Sequence, residues 1–138
     1  MRLVILARGR AGRSPEAELA ARYLARLGDT ARLVELAEAA PFPPAPPGAR
    51  TVALDERGEA LPSAELARRL GGWRDSGVRE ARFLIGGADG LSAAERAAAD
   101  WCLAFGPATW PHLMVRAMLA EQLYRAMTIL AGHPYHRA

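Results

Sequence analysis

The chain has 138 residues, a net charge of +3 and one cysteine, Cys102. That length makes a single domain, residues 1–138, with a core that needs no staples, and the lone cysteine excludes an internal disulfide framework and a cysteine-rich zinc site. The apolar run before Arg8 is too short for a signal segment or a membrane span, so a cytoplasmic protein with no membrane contact and no metal is expected.

All 18 basic residues are arginine. A GC-rich coding bias produces that without functional cause, yet arginine also binds phosphate bidentately and stacks on bases. Residues 1–32 carry seven arginines against Glu16, Glu18 and Asp29; residues 33–111 carry eight against eleven acids; residues 112–138 carry three against Glu121. Basic ends around an acidic middle suit a nucleic-acid partner, or simply a solvated surface.

Residues 2–7 form an apolar run that ends in a loop of Gly9, Gly12 and three arginines, and read as a buried first strand. Ser14-Pro15-Glu16 is a helix start: a capping side chain, proline at the first helical position, then an acid at the positive end. The helix runs to about Leu27, where Gly28 stops it. Residues 32–37 are a second strand. Five prolines between Pro41 and Pro47 then allow only an extended connector. Residues 50–54 are a third strand, followed by a turn at Asp55-Glu56-Arg57-Gly58. Ser63 is expected to cap a helix through about Asp75.

Residues 81–85 are a fourth strand that runs into Gly86-Gly87-Ala88-Asp89-Gly90. Ser92-Ala93-Ala94-Glu95 is a capping box for the next helix. Residues 101–105 are a fifth strand, and Pro111 opens a long last helix. Its apolar positions cover more than one stripe, and Glu121 and Arg125 stand at ion-pair spacing. Strands alternating with helices in the order β-α-β-β-α-β-α-β-α predict an α/β domain with a mostly parallel sheet flanked by helices.

Open α/β sheets bind ligands beyond the carboxyl ends of their strands. Three strands end in suitable loops: after Leu54, at residues 86–90, and at residues 105–110. Glycines without Cβ atoms allow close approach of a ligand, so Gly86→Val is expected to fill ligand space without harming the fold. The chain has neither a dinucleotide fingerprint nor a phosphate loop. It closes on His133-Pro134-Tyr135-His136-Arg137, groups that hydrogen-bond, stack or carry charge. Loss of residues 135–138 is expected to cost little stability.

Val52-Ala53-Leu54-Asp55, Phe83-Leu84-Ile85-Gly86-Gly87-Ala88-Asp89-Gly90-Leu91-Ser92, Trp110-Pro111-His112-Leu113, Glu121-Gln122-Leu123-Tyr124-Arg125-Ala126 and the closing pentapeptide resemble the SPOUT methyltransferases. They are most similar to the small RlmH family, which methylates N3 of pseudouridine in 23S ribosomal RNA of the large subunit. The resemblance covers residues 50–137. It implies a carboxy-terminal trefoil knot, S-adenosyl-L-methionine as methyl donor, and a homodimer whose second subunit completes the site. The donor would lie among Leu54, Gly86, Gly87, Gly90, Phe105, Gly106, Pro107, Ala108, Thr109 and Trp110. Ribosomal RNA, or the assembled ribosome, would meet Arg8, Arg10, Arg116, Arg125, Tyr135 and Arg137. The catalytic set would be Glu121, His133, Tyr135, His136 and Arg137, with His133, His136 or Glu121 assisting loss of the imide proton. The family's lysine-rich segment between the second and third strands is absent here. Trp110 also stands where a smaller aliphatic residue is usual. A non-catalytic RNA or ribosome binder that keeps the fold is the alternative.

Overall fold

The computed structural model describes residues 1–137. Its elements, in chain order, are β1 (Arg2–Arg8), α1 (Pro15–Leu27), β2 (Ala31–Leu36), β3 (Arg50–Ala60), α2 (Ser63–Asp75), β4 (Glu80–Ile85), α3 (Ala93–Ala98), β5 (Trp101–Ala104) and α4 (His112–Ala131). The five strands form one sheet in the order β2-β1-β4-β3-β5, and every neighbouring pair is parallel. This is the α/β class that the alternation predicts.

Because successive side chains alternate across a sheet, each central strand feeds two cores. Leu3 and Ile5 of β1, Val52 of β3 and Phe83 of β4 pack with Leu66 and Leu70 of α2 and with Leu119 and Leu123 of α4. On the opposite face Val4, Leu6, Ala53 and Leu84 pack with Leu91, and Phe42 of the proline connector lies against them. That second face has little helical cover, and the connector supplies the rest. Arg82 donates to the Pro43 carbonyl at 2.6 Å and Arg8 to the Ala40 carbonyl at 2.8 Å. The Arg8 guanidinium also stands 4.2 Å from the Phe42 ring centre. The connector is extended, as five prolines require, but it is bound down as part of the wall.

Two local expectations fail. β3 does not stop at Leu54; it continues through the supposed turn to Ala60, and its pairing with β5 shifts register between Leu54 and Glu59. Gly58 permits this, since a Cβ there would come within 2.6 Å of the Cys102 carbonyl carbon. It is a close-approach glycine, where the charged sequence suggested a turn. Ser63 does not cap α2. Pro62 holds that position, and the Ser63 hydroxyl donates to Gln122 Oε1 of α4 at 2.7 Å, tying the two helices together. Ser14 and the Ser92–Glu95 box do cap α1 and α3 as expected.

Candidate active site

β4, β3 and β5 are consecutive in the sheet and parallel, so their carboxyl ends open on the same edge. A cavity of about 630 Å³ lies there, reaching the first turn of α4. Of the expected donor residues, Leu54, Gly86, Gly87, Gly90, Phe105, Ala108, Thr109 and Trp110 line it together. Gly106 and Pro107 belong to the same loop but are not in the lining. The loop is braced at both ends: Trp110 Nε1 donates to the Phe105 carbonyl at 3.0 Å, and the Thr109 hydroxyl donates to the Glu56 carboxylate on the outer part of β3.

The glycine loop works differently from the expectation. A Cβ on Gly86 would overlap the Gly90 carbonyl carbon and stand 2.8 Å from Gly90 Cα, and a Cβ on Gly87 would overlap the Glu38 carboxylate. The missing side chains therefore let the loop fold on itself and accept Glu38, whose Oε1 receives the Ala88 amide at 2.7 Å. Gly90 itself has φ +73°, a left-handed turn that other residues adopt only with strain. Gly86→Val would thus break the loop as well as any ligand contact.

Sequence reading assigned no role to His112, Asp55 or Arg96, which also line the cavity. His112 has a buried Nδ1 without a hydrogen-bond partner among the described residues. An unpaired buried polar atom is costly unless a ligand or water satisfies it. Asp55 is held between Arg57 and Arg96 at 3.5 and 3.8 Å. His112 stood inside the Trp-Pro-His-Leu motif; the burial of its Nδ1, which marks it, comes only from the tertiary fold.

Two arginines expected to face RNA are structural. Arg116 is 2 % exposed; its Nη1 pairs with Glu35 at 2.6 Å, and its Nη2 donates to the Arg8 and Gly9 carbonyls at 2.9 Å each. It stitches the carboxyl ends of β1 and β2 to α4, and a solvated phosphate cannot reach it. Arg8 forms a two-pronged pair with Glu95 at the start of α3, in addition to its connector contacts. The Glu35 carboxyl is held below its ordinary range, first by the Ala11 amide and also by Arg116, against the opposing effect of burial. Arg8 does the same for Glu95. Arg10 and Arg137 remain exposed.

Of the expected catalytic residues, Glu121 stands on α4 and the tail brings Tyr135 and His136 to it and to Arg125, outside the cavity lining. Arg125 donates to Glu121 Oε1 at 2.9 and 2.6 Å, the ion pair the spacing predicts. The tail folds back on this pair. The Tyr135 ring lies edge-on to Tyr124, with centroids 4.7 Å apart, and the Arg125 guanidinium stands 4.9 Å from its centre. The Tyr135 hydroxyl meets Tyr23 and Glu121, and these hydrogen bonds with burial push its pKa up to about 12. Arg125 also approaches His136 Nδ1 at 3.2 Å, and His133 Nδ1 accepts the Tyr135 amide at 3.1 Å. Arg137 is exposed beside them, and Ala138 lies outside the described residues. The tail is therefore packed against α4 and is not the free end that the expectation of a nearly neutral truncation assumed.

Between cavity and tail runs an apolar groove lined by Leu19, Met114, Ala117 and Met118. Phe105 lines both cavity and groove, and Glu121 lines the groove and holds the tail. Leu19, Met114 and Trp110 are the most exposed large apolar side chains among the described residues. No group of three or more His, Cys, Asp or Glu able to hold a metal occurs among the described residues, and none of their helices is long and apolar enough to cross a membrane.

Comparison with known proteins places this architecture. Residues 35–136 match the family model described as "Predicted SPOUT methyltransferase". The chain is 59% identical over 140 residues to a protein of Zymomonas mobilis subsp. mobilis named Ribosomal RNA large subunit methyltransferase H, covering 99% of each. It is 59% identical over 138 residues to the protein of that name from Rhizorhabdus wittichii, again covering 99% of each. Among solved structures, TrmJ of Z. mobilis ZM4 superposes with a TM-score of 0.55 at 17% identity, over 93% of this chain and 70% of that one. A probable methylase family protein of Haemophilus influenzae gives 0.57 at 12%, over 94% and 66%. At such identities the structural likeness speaks for the fold.

Proposed function

The chain belongs to the SPOUT methyltransferase family, and from that premise we propose that it methylates N3 of pseudouridine in 23S ribosomal RNA of the large subunit. We take S-adenosyl-L-methionine as donor and a homodimer as the working form. The observation that carries the reading is the cavity where β3, β4 and β5 end. Leu54, Ile85, Leu103, Phe105 and Trp110 offer apolar cover for an adenine, and the orphan His112 Nδ1 offers a hydrogen-bond partner. Such a mixture of apolar walls and few polar groups suits a nucleoside.

Bound there, S-adenosyl-L-methionine supplies an electrophilic methyl group on a sulfonium, and transfer forms an N–C bond as the S–C bond breaks. Positioning carries most of such a reaction. The imide must also lose its proton to solvent or to a base. Tyr135, with its raised pKa, stays a neutral hydroxyl near pH 7. Glu121 is already taken up by Arg125, Gln122 and Tyr135. Arginine only donates, so His136 Nδ1 accepts from Arg125, and His133 Nδ1 accepts from a backbone amide. Both neutral imidazoles then carry their proton on Nε2. In this reading the two histidines donate to the base oxygens and stabilise the developing imide anion; they do not remove the proton.

The tail is separated from its own cavity by the apolar groove. A second copy covering that groove would bring its tail to the first copy's cavity, which is why the homodimer belongs to the proposal. Calorimetry should find one S-adenosyl-L-methionine site per subunit. Large subunits lacking the modification should gain one methyl group, located by mass spectrometry at N3 of a pseudouridine. Absence of donor binding, or a methyl group elsewhere, would overturn the assignment.

A further inference from the structure

The carboxyl-terminal ends of α1, α2 and α4 enclose a separate hollow of about 410 Å³ that the proposed chemistry leaves unused. Arg26, Arg74 and His133 line it, one near each helix end, together with Tyr124 and the apolar Leu27 and Met127. No aspartate or glutamate lines it among the described residues. The Arg26 guanidinium stands 5.1 Å from the Tyr23 ring centre and 5.4 Å from that of Tyr124. Arg8, Arg69 and Arg125 are also held over aromatic rings, but each is paired with a glutamate as well. Arg26 has no carboxylate partner among the described residues, and Arg74 only approaches its exposed neighbour Asp75 at 3.7 Å.

Arginine near a helix end usually serves the last carbonyls and the negative end of the dipole. Here the backbone already takes part of that role. The Gly28 amide bonds the Leu24 and Ala25 carbonyls, and the Gly132 amide bonds those of Thr128 and Ile129. Neither Arg26 nor Arg74 donates to a helix carbonyl among the described residues. What remains is a charged fork steadied on aromatic rings, with a second guanidinium and an imidazole beside an apolar wall. Phosphate oxygens suit the forks, and a sugar or base face suits the wall.

We propose that this hollow binds a nucleotide of the ribosomal RNA adjacent to the target base, its phosphate held by Arg26 and Arg74. The inference rests on the rRNA-methyltransferase reading above. The location fits it: His133 lines the hollow and accepts the Tyr135 amide, and Tyr124 lines the hollow and packs edge-on against Tyr135. A nucleotide seated there lies beside the tail that handles the target, and it fixes which base the tail meets.

The test uses the full-length protein, tritiated S-adenosyl-L-methionine and large ribosomal subunits lacking the modification. Arg26→Ala and Arg74→Ala should each raise KM for the subunits about tenfold, the worth of one charge-assisted hydrogen bond. Both kcat and donor affinity should stay within about twofold, since neither residue touches the donor cavity. The slope of log affinity against log salt should fall by about 1 for a lost phosphate contact. Arg26→Lys keeps the charge without the fork and should fall between. Arg32→Ala, which removes an exposed charge on β2, should keep the parental KM. If circular dichroism shows Arg26→Ala unfolded, Arg74→Ala alone decides. Parental KM in the folded variants, or an equal loss in Arg32→Ala, overturns the hollow as a nucleotide site. A parent protein that transfers no methyl group to ribosomal RNA overturns the reading beneath it.

Discussion

The hydroxyl of Tyr135 donates to Glu121 Oε1 at 3.1 Å, joining the tail to the middle of α4 across fourteen residues. The same oxygen takes both Arg125 donors, and Tyr23 stands 3.5 Å from the hydroxyl. One carboxylate therefore organises the tail. Tyr135→Phe keeps the ring contacts and removes the hydroxyl. It should cost about 1 kcal/mol, roughly 3–5 °C in a domain of this size. Methyl transfer should fall while calorimetry shows unchanged donor affinity. Unchanged transfer would mean that the hydroxyl plays no part in positioning the tail.

Gly86→Ala tests the self-packed glycine loop. Its methyl would overlap the backbone of Gly90, so the loop must open. Overpacking of this kind typically costs about 1–3 kcal/mol. Thermal unfolding should show the loss, and donor binding should weaken in the same variant. A variant with parental melting temperature and lost binding would return the glycine to the simpler role of making room for a ligand.

Acid should destabilise the protein through Glu35 and Glu95. Their folded pKa values lie below the ordinary 4.5, for Glu35 chiefly through the Ala11 amide and for Glu95 chiefly through Arg8. Below their unfolded pKa the unfolded chain binds more protons than the native one, so stability rises with pH in that window. The contribution is complete above the unfolded value and is lost as pH falls through the folded one. Glu35→Gln should lower the melting temperature near neutrality and flatten its decline below about pH 5. An acid limb as steep as the parent's would remove Glu35 from the account.

Met114→Arg addresses assembly. Met114 is 37% exposed and lines the apolar groove beside Leu19 and Met118. A charge there would be desolvated without a partner if a second copy covers the groove. Ultracentrifugation should find the parent dimeric and the variant monomeric, with methyl transfer lost and melting little changed. A dimeric variant would place the interface elsewhere.

Local signals served the sequence reading well. Ser14, the Ser92–Glu95 box and the Glu121–Arg125 spacing each report a structure made within a few residues. What escaped depends on distant partners. Arg116 reads as a polar position on an amphipathic helix, because arginine is rarely buried fully, and its partner Glu35 lies 81 residues away. Arg8 looked like part of a basic loop, yet Glu95 is 87 residues on. Ser63 had the chemistry of a cap but found Gln122 instead. Leu54, the glycine loop and residues 105–110 read as one site through the open-sheet rule and the family resemblance, and the strand order is what joins them physically. That order converts three separate loop signals into one cavity.

β1 lies between β2 and β4, and its Leu3, Ile5 and Ala7 are fully enclosed. Its second edge stays unpaired until residues 80–85 exist. During synthesis, then, an apolar strand with an open edge must wait until residues 80–85 have been made. Such an edge is a template for wrong pairing, and contacts this distant in sequence slow folding. Arg2 at its start and Arg8, Arg10 and Arg13 at and beyond its end are charges of the kind that keep nascent apolar runs apart. Arg8, one of these charges, is a fastening in the finished fold, bonded to the Ala40 carbonyl and to Glu95.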